Sequence, residues 1–477
     1  MPDEPSTTIQ QSSVPGSILP AAGGPQDVFF NRNRKVKVPL PLIERAEGIY
    51  MWDSDGNRYI DVSSGPIVSN IGHGVTAVGD AMARQVRQMD FAYPRVARNQ
   101  PNMDLTERVA GLAGPGFERV CFASGGSEAN EIAVKFLRQY AVANGQPARR
   151  HVITCMPSYH GGTFGALAWS GDDDIVEFLD GMIDISPKIP APVTYRLPAN
   201  HTVESYAMSC ADALRQTIKD LGADTVLAFM IEPVGGVATG CNVPHDSFFR
   251  EIRKICTENG IYLIFDEVMS GTGRTGKFLA AHHWPEALPD IAVLAKGLGS
   301  GYVPLAAMLA PAAMVDSLAE KTGFDYSHTY TSNPVCCAAG LAVLDYTTDR
   351  GLMDNAARMG RYLRKKLCTL KDTSRLVGDV RGLGLLMSVE MVADRSEKTP
   401  LPAETEAADR IRIHGLNNGL IIYSRRTSGG RFGDWFIVAP PLTVTQDECD
   451  EIVERLALTL KGLEDELVSL GHLPKAP

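Results

Sequence analysis

Four groups of residues could do chemistry, and each stands where a short apolar run ends. "RVCFA" (119–123) is followed by Ser124, Gly125, Gly126, Ser127 and Glu128, and "TVLAFMI" (225–231) by Glu232. "IYLIF" (261–265) is followed by Asp266, and "IAVLA" (291–295) by Lys296. A lysine at a buried strand end has its neutral form favoured by desolvation, and a neutral amine is a nucleophile that condenses with carbonyls. A strand that turns through two glycines into a helix presents free amides to an anion, phosphate above all. Glu128 and Glu131 fall in the first turn of that helix, and Ser127 is placed to cap it. Taken singly, these features have bland readings: an ordinary helix cap, a structural ion pair at Asp266, a solvated Lys296. Taken together, several charges buried at one edge are costly unless they pair with each other or with a ligand.

The elements that must position these groups follow from the rhythm of the chain. The runs above, with "HVITC" (151–155), are short, nearly continuously apolar and separated by helical stretches. Such runs suit strands of a mostly parallel sheet with helices on both faces, and ligands then bind at the carboxyl ends of the strands. The fold class is therefore α/β, a large domain plus a smaller α/β domain. Residues 1–26 read as an N-terminal arm, and 27–73, with a hairpin around "DSDGN", as a segment joining the small domain. The large domain spans 74–334 and the C-terminal small domain 335–477.

Composition excludes several classes. A formal charge of −10 with only short basic groupings disfavours nucleic-acid binding. The nine cysteines are scattered and form no Cys-x-x-Cys, and the histidines form no His-Glu-x-x-His. A disulfide framework and a metal site are therefore not expected, and a reducing cytoplasm is. No signal-peptide pattern or spanning apolar run predicts a membrane role. "GTGRTGK" (271–277) nearly spells a P-loop, which makes a nucleotide enzyme a remote alternative. Phe278, however, stands where that loop needs a magnesium-binding hydroxyl. The stretch reads instead as a flexible turn leaving the Asp266 strand end, with Arg274 in an ion pair.

A phosphate turn, a carboxylate to face a pyridine nitrogen and a reactive lysine, in that order, are what pyridoxal phosphate needs from a protein. The residues that carry them lie in "FASGGSEANE", "SYHGGT", "IEPVGG", "IFDEVMSGTGRTGK", "LAKGLGSGYVPLAAMLA", "HTYTSNPVCCAAG", "RGLGLL" and "APPLTVT". From about residue 40 to 465 the chain resembles the class III pyridoxal-phosphate aminotransferases of fold type I. The resemblance implies that Lys296 binds the cofactor as a Schiff base and moves the substrate proton. It also implies that Asp266 pairs with the pyridine nitrogen, that Val268 and Tyr159 cover the two ring faces, and that Gly126 and Ser127 hold the phosphate. Thr329 matches a threonine that reaches the phosphate of a neighbouring subunit, which implies a homodimer with shared active sites, or a tetramer. Glu232 matches a site glutamate of variable role.

The implied reaction is ping-pong transfer of an amino group from a primary amine or ω-amino acid to a small 2-keto acid such as pyruvate. The layout "YSRRTSGGRFGD" is similar to the amine:pyruvate (ω-transaminase) branch, with Arg425 or Arg426 expected on the acceptor carboxylate. The family's pocket tryptophan is replaced by Pro66 and Ile67 in "SSGPIVSN". Ile67 is a candidate pocket residue, and Phe91 and Tyr93 are candidates to line the same pocket from a partner subunit. An aminomutase, racemase or decarboxylase using the same cofactor is the alternative within the fold.

Overall fold

A computed structural model describes residue 36 and residues 38–475 apart from 180 and 327. The expected arm at 1–26 lies outside the described residues. Three strands come first: β1 (Ile43–Glu47), β2 (Tyr50–Asp53) and β3 (Arg58–Asp61), paired antiparallel. The β2–β3 turn closes on Asp53, whose Oδ1 accepts the N–H groups of Asp55 and Asn57. An aspartate bonding the backbone two residues on is the turn chemistry that "DSDGN" supplies.

The large sheet holds β4 (Arg119–Ala123), β5 (His151–Met156), β6 (Lys188–Pro190), β7 (Val226–Ile231), β8 (Tyr262–Asp266), β9 (Ile291–Leu294) and β10 (Ala306–Ala310). Their spatial order is β4-β10-β9-β8-β7-β5-β6. β5 to β9 run parallel to one another. β10 runs antiparallel to both neighbours, so β4 points the same way as the parallel five. The carboxyl ends of β4, β7, β8 and β9 therefore share one edge. β10 is absent from the sequence reading because its run, Ala-Ala-Met-Leu-Ala, lacks the β-branched residues that mark a strand.

Helices cover both faces of this sheet. Along β8, Leu263 and Phe265 enter one core with the helices Val203–Leu221 and Asp246–Asn259, while Ile264 enters the opposite core with the helix Gly126–Ala143. Side chains alternate across a strand, so a run apolar at every position needs cover on both sides.

The C-terminal lobe is built on β11 (Val377–Leu383), β12 (Leu386–Met391), β13 (Leu420–Ile421), β14 (Tyr423–Arg426) and β15 (Asp434–Val438). Four of these form an antiparallel sheet in the order β11-β12-β15-β14. β13 instead pairs parallel with β3, which brings the N-terminal strands into this lobe. Ile60, Leu420 and Ile452 share its core. The last helix, Gln446–Ser469, starts at a capping box in which Thr445 and Glu448 satisfy each other's backbone N–H groups.

The stretch 271–277 departs from its expected character. Gly271 to Thr275 are buried and Lys277 is exposed, so this is an interior loop between the lobes rather than a flexible surface turn. Arg274 forms no ion pair among the described residues. It donates to backbone carbonyls and side-chain oxygens from both ends of the chain. No helix among the described residues is long and apolar enough to cross a membrane.

Candidate active site

At the shared strand edge lies a cavity of about 330 Å³. Gly126, Ser127, Tyr159, Glu232, Asp266, Val268 and Lys296 all line it. The structure thus brings together every expected cofactor residue except Thr329.

Lys296 follows β9 by two residues and opens a single 3-10 turn with φ at 44°. A side chain rarely adopts that left-handed region, and such strain persists only where the surroundings fix it. Burial pulls the Lys296 amine down to about 8, against the opposing pull of the Asp266 and Glu232 carboxylates. At about 8, roughly a tenth of the amine is neutral at pH 7, far more than for an unperturbed lysine, and the neutral form is the nucleophile.

Asp266 ends β8 and is buried. Its Oδ2 accepts from Asn130 Nδ2 and His160 Nδ1, both at 2.8 Å, and its Oδ1 accepts from Val268 N at 3.1 Å. Because a carboxylate only accepts, His160 carries its proton on Nδ1. Asn130 also donates to the His160 carbonyl at 2.8 Å, and the His160 N–H is tied to Ser170 Oγ at 2.9 Å. Two side chains therefore orient the carboxylate and are themselves oriented. Sequence reading did not single out either one. Both were in view, His160 beside Tyr159 in "SYHGGT" and Asn130 one turn after Gly126, but nothing local says that they face residue 266.

The Gly-Ser turn is the start of the helix Gly126–Ala143. Its cap is Gly125, which has no side chain to bond the first amides. Ser127 therefore sits inside the first turn rather than capping it, and its Oγ accepts from Gly162 N at 3.0 Å. The leading N–H groups stay free for an anion. Gly126 permits close approach: a Cβ there would lie 2.9 Å from Val268 Cγ2. Glu232, just past β7, accepts from Tyr159 N at 3.1 Å and Gly236 N at 2.9 Å. Burial pushes its carboxyl up to about 7, partly countered by His160 and reinforced by Asp266.

The expected substrate residues are placed differently from one another. Ile67 is buried in the core of the large domain, and its neighbour Val68 lines the cavity instead. Arg425 forms an ion pair with the fully buried Asp172, and its charge acts on the Tyr159 hydroxyl. Arg426 is held by Asp434 at 2.6 Å and by the Leu401 and Gly429 carbonyls. Phe91 and Tyr93 do not line this chain's cavity; Phe91 is exposed and meets Tyr330 edge-on at 6.3 Å. Thr329 is exposed on the loop before the helix Pro334–Asp349.

Residues 31–460 match the family model described as aminotransferase class-III. The chain is 35% identical over 430 residues to the uncharacterised aminotransferase YodT of Bacillus subtilis, covering 90% of this chain and 96% of that one. It is 30% identical to the putrescine–pyruvate aminotransferase of Pseudomonas aeruginosa, over 86% of this chain and 88% of that protein. The solved (S)-enantioselective omega-transaminase from Thermomicrobium roseum superposes with a TM-score of 0.82 at 34% identity, covering 89% and 93% of the two chains.

Proposed function

The chain belongs to the class III aminotransferases, and from that premise we propose that it moves an amino group from a primary amine or ω-amino acid to a small 2-keto acid such as pyruvate. The family is pyridoxal-phosphate-dependent, so the chain is a transferase of nitrogenous groups that uses this cofactor. The residues fit that group. The free amides at the helix start suit its phosphate, the glycine at 126 leaves room beside Val268, and the buried amine of Lys296 suits its aldehyde. When bound, the cofactor supplies an electron sink for the carbon that carries the amino group.

In this reading Lys296 is the covalent attachment point and, once released, takes and returns the proton on the substrate carbon. Asp266 would hold a proton on the ring nitrogen, with Asn130 and His160 keeping its carboxylate turned to do so. Tyr159 and Val268, which both line the cavity, would cover the two faces of the ring. Glu232 stands on the substrate side with its two bonds to the Tyr159 and Gly236 amides. The two half-reactions share one site in turn, which is a ping-pong scheme. The observation that carries the reading is the convergence of Lys296, Asp266 and the free helix-start amides on one cavity.

Arg425 is the better candidate for the acceptor carboxylate. Both arginines are ion-paired, Arg425 to Asp172 and Arg426 to Asp434, but the charge of Arg425 acts on Tyr159, which lines the cavity. We read the assembly as a homodimer in which the exposed Phe91–Tyr330 ring pair, next to Thr329 in the chain, would be covered by the neighbouring subunit.

The test is to incubate the cofactor-loaded protein with an amine panel and pyruvate and to measure alanine. Alanine formation with stoichiometric loss of amine is expected. Isomerised donor without transfer, or no alanine from any donor, would sink the reading.

A further inference from the structure

Arg274 is wholly buried, and among the described residues its guanidinium donates only to neutral oxygens. Nη1 donates to the carbonyls of Leu385, Ala439 and Pro440 at 3.3, 3.2 and 2.5 Å. Nη2 donates to Ser64 Oγ at 3.4 Å and Asn70 Oδ1 at 2.6 Å. The first three acceptors lie in the C-terminal lobe. The other two bracket residues 64–70.

That bracketed turn is strained. Ser64 has φ at 52°, Gly65 at 61° and Ile67 at 61°. For a β-branched residue such a φ is an outlier, held only where the surroundings over-determine it. The turn delivers Val68 to the cavity that holds Lys296.

Asn70 passes the contact on toward the lysine. Its Nδ2 donates to Thr272 O at 3.0 Å and Oγ1 at 3.2 Å, and its carbonyl accepts from Leu442 N at 2.7 Å. Ile71 N donates to Ser300 Oγ at 3.0 Å. Gly297, the residue after Lys296, fits against this knot only because it lacks a side chain: a Cβ there would lie 2.2 Å from both Asn70 Nδ2 and Thr272 Oγ1. The strained turn and the Lys296 turn are thus tied through Asn70, Thr272 and Ser300.

We propose that Arg274 is a positioning residue for the substrate wall: by clamping Ser64 and Asn70 to the C-terminal lobe it fixes how far Val68 stands from the Lys296 turn, and so the size of amine that enters. The selectivity part rests on the amine-transfer reading above. The placement part does not.

Two variants test it. Arg274→Lys keeps a cation but replaces the planar fork with a single point donor that cannot serve both sets of acceptors. Since replacing a buried arginine can prevent folding, Asn70→Ala is the second variant; it removes the Asn70 bonds to both Arg274 and Thr272 and leaves the lobe carbonyls bonded to Arg274. In hydrogen exchange on cofactor-free protein, the peptide covering residues 62–72 is expected to exchange about tenfold faster in either folded variant, while β7 and β8 keep their protection. In the holoenzyme, the ratio of kcat/KM for an aromatic amine over a short alkyl amine is expected to rise about tenfold. Wild-type exchange in 62–72 in folded Asn70→Ala overturns the positioning role. An unchanged amine ratio, with both amines slowed alike, overturns the selectivity role. If wild type transfers no amino group at all, the function reading has failed, and the exchange result alone decides whether Arg274 positions the turn.

Discussion

Replacing Asp266 with Asn isolates the charge of the carboxylate from its shape. In the wild type, Oδ2 takes two bonds at 2.8 Å, from Asn130 and His160, and Oδ1 takes Val268 N at 3.1 Å. An Asn at 266 can keep the two short bonds only with its carbonyl oxygen in the Oδ2 position. Its NH₂ then opposes the Val268 N–H, and a buried donor left without an acceptor costs about 1–3 kcal/mol. That cost falls on stability and is partly offset because a buried charge is removed. A melting temperature lower by only a few degrees is therefore expected. The rate loses a different quantity. A bond to a charged partner contributes about 1.5–3 kcal/mol, so losing the anionic partner of the ring nitrogen slows turnover roughly 10- to 200-fold. Asn130→Ala is the control, since it removes one orienting bond and keeps the charge; its loss should stay below about tenfold. The assay is alanine formation from pyruvate at saturating cofactor, with visible absorbance confirming that each variant is loaded. A loaded, folded Asp266→Asn that turns over within about threefold of wild type would refute the role assigned to the carboxylate.

The remaining predictions concern the groups around it. Lys296→Ala folds but loses both turnover and the visible absorbance that borohydride bleaches in wild type. In cofactor-free protein, Lys296 should carbamylate with cyanate along a titration centred near its depressed value of about 8, well before surface lysines react; peptide mass spectrometry reads the difference, and a midpoint above pH 10 would contradict the burial argument. Glu232 has a folded value raised from 4.5 to about 7, so the folded chain binds the extra proton. Its contribution to stability is full below pH 4.5 and is lost as pH rises through 7, and Glu232→Gln should flatten that part of the melting-temperature profile of cofactor-free protein. Arg425→Ala should raise the KM for pyruvate about 10- to 100-fold and leave a neutral aldehyde acceptor unaffected; equal effects on both would remove Arg425 from the acceptor site.

The positions of Lys296, Asp266, Glu232 and the 124–128 turn were legible because they are backbone properties. Each ends an apolar run, runs of that kind make parallel strands, and parallel strands bring their carboxyl ends to one edge. The one reversed strand, β10, escaped notice without harm, since it lies between β4 and β9 and leaves their direction unchanged. Ser127, expected as the cap, lies two positions past it, and the reason is local. Serine is a strong capping residue, but here the glycine at 125 takes the cap, which leaves the first amides unbonded by any side chain.

What sequence could not supply are contacts between side chains far apart in the chain. Asn130 and Asp266 are 136 positions apart and His160 and Asp266 are 106 apart, yet both pairs bond at 2.8 Å. Arg274 is the sharper case. A lone arginine in a glycine-rich loop suggests an ion pair, because burying a guanidinium without a counter-charge is expensive. The structure meets that expense with carbonyls from residues 385, 439 and 440, with Asn70, and with the charge of the buried Asp61 carboxylate, which makes no direct ion pair with it. None of these acceptors has a sequence signature, since every residue carries a carbonyl. They are available only because the loop between β8 and β9 is buried between the two lobes, where strand ends and chain crossings leave carbonyls unpaired. The glycines of "GTGRTGK" matter for the same reason: a Cβ at Gly276 would lie 2.8 Å from Ala357 Cβ in the C-terminal lobe. The motif that first resembles a nucleotide loop is thus shaped by how closely the second lobe must approach the strand that carries Asp266.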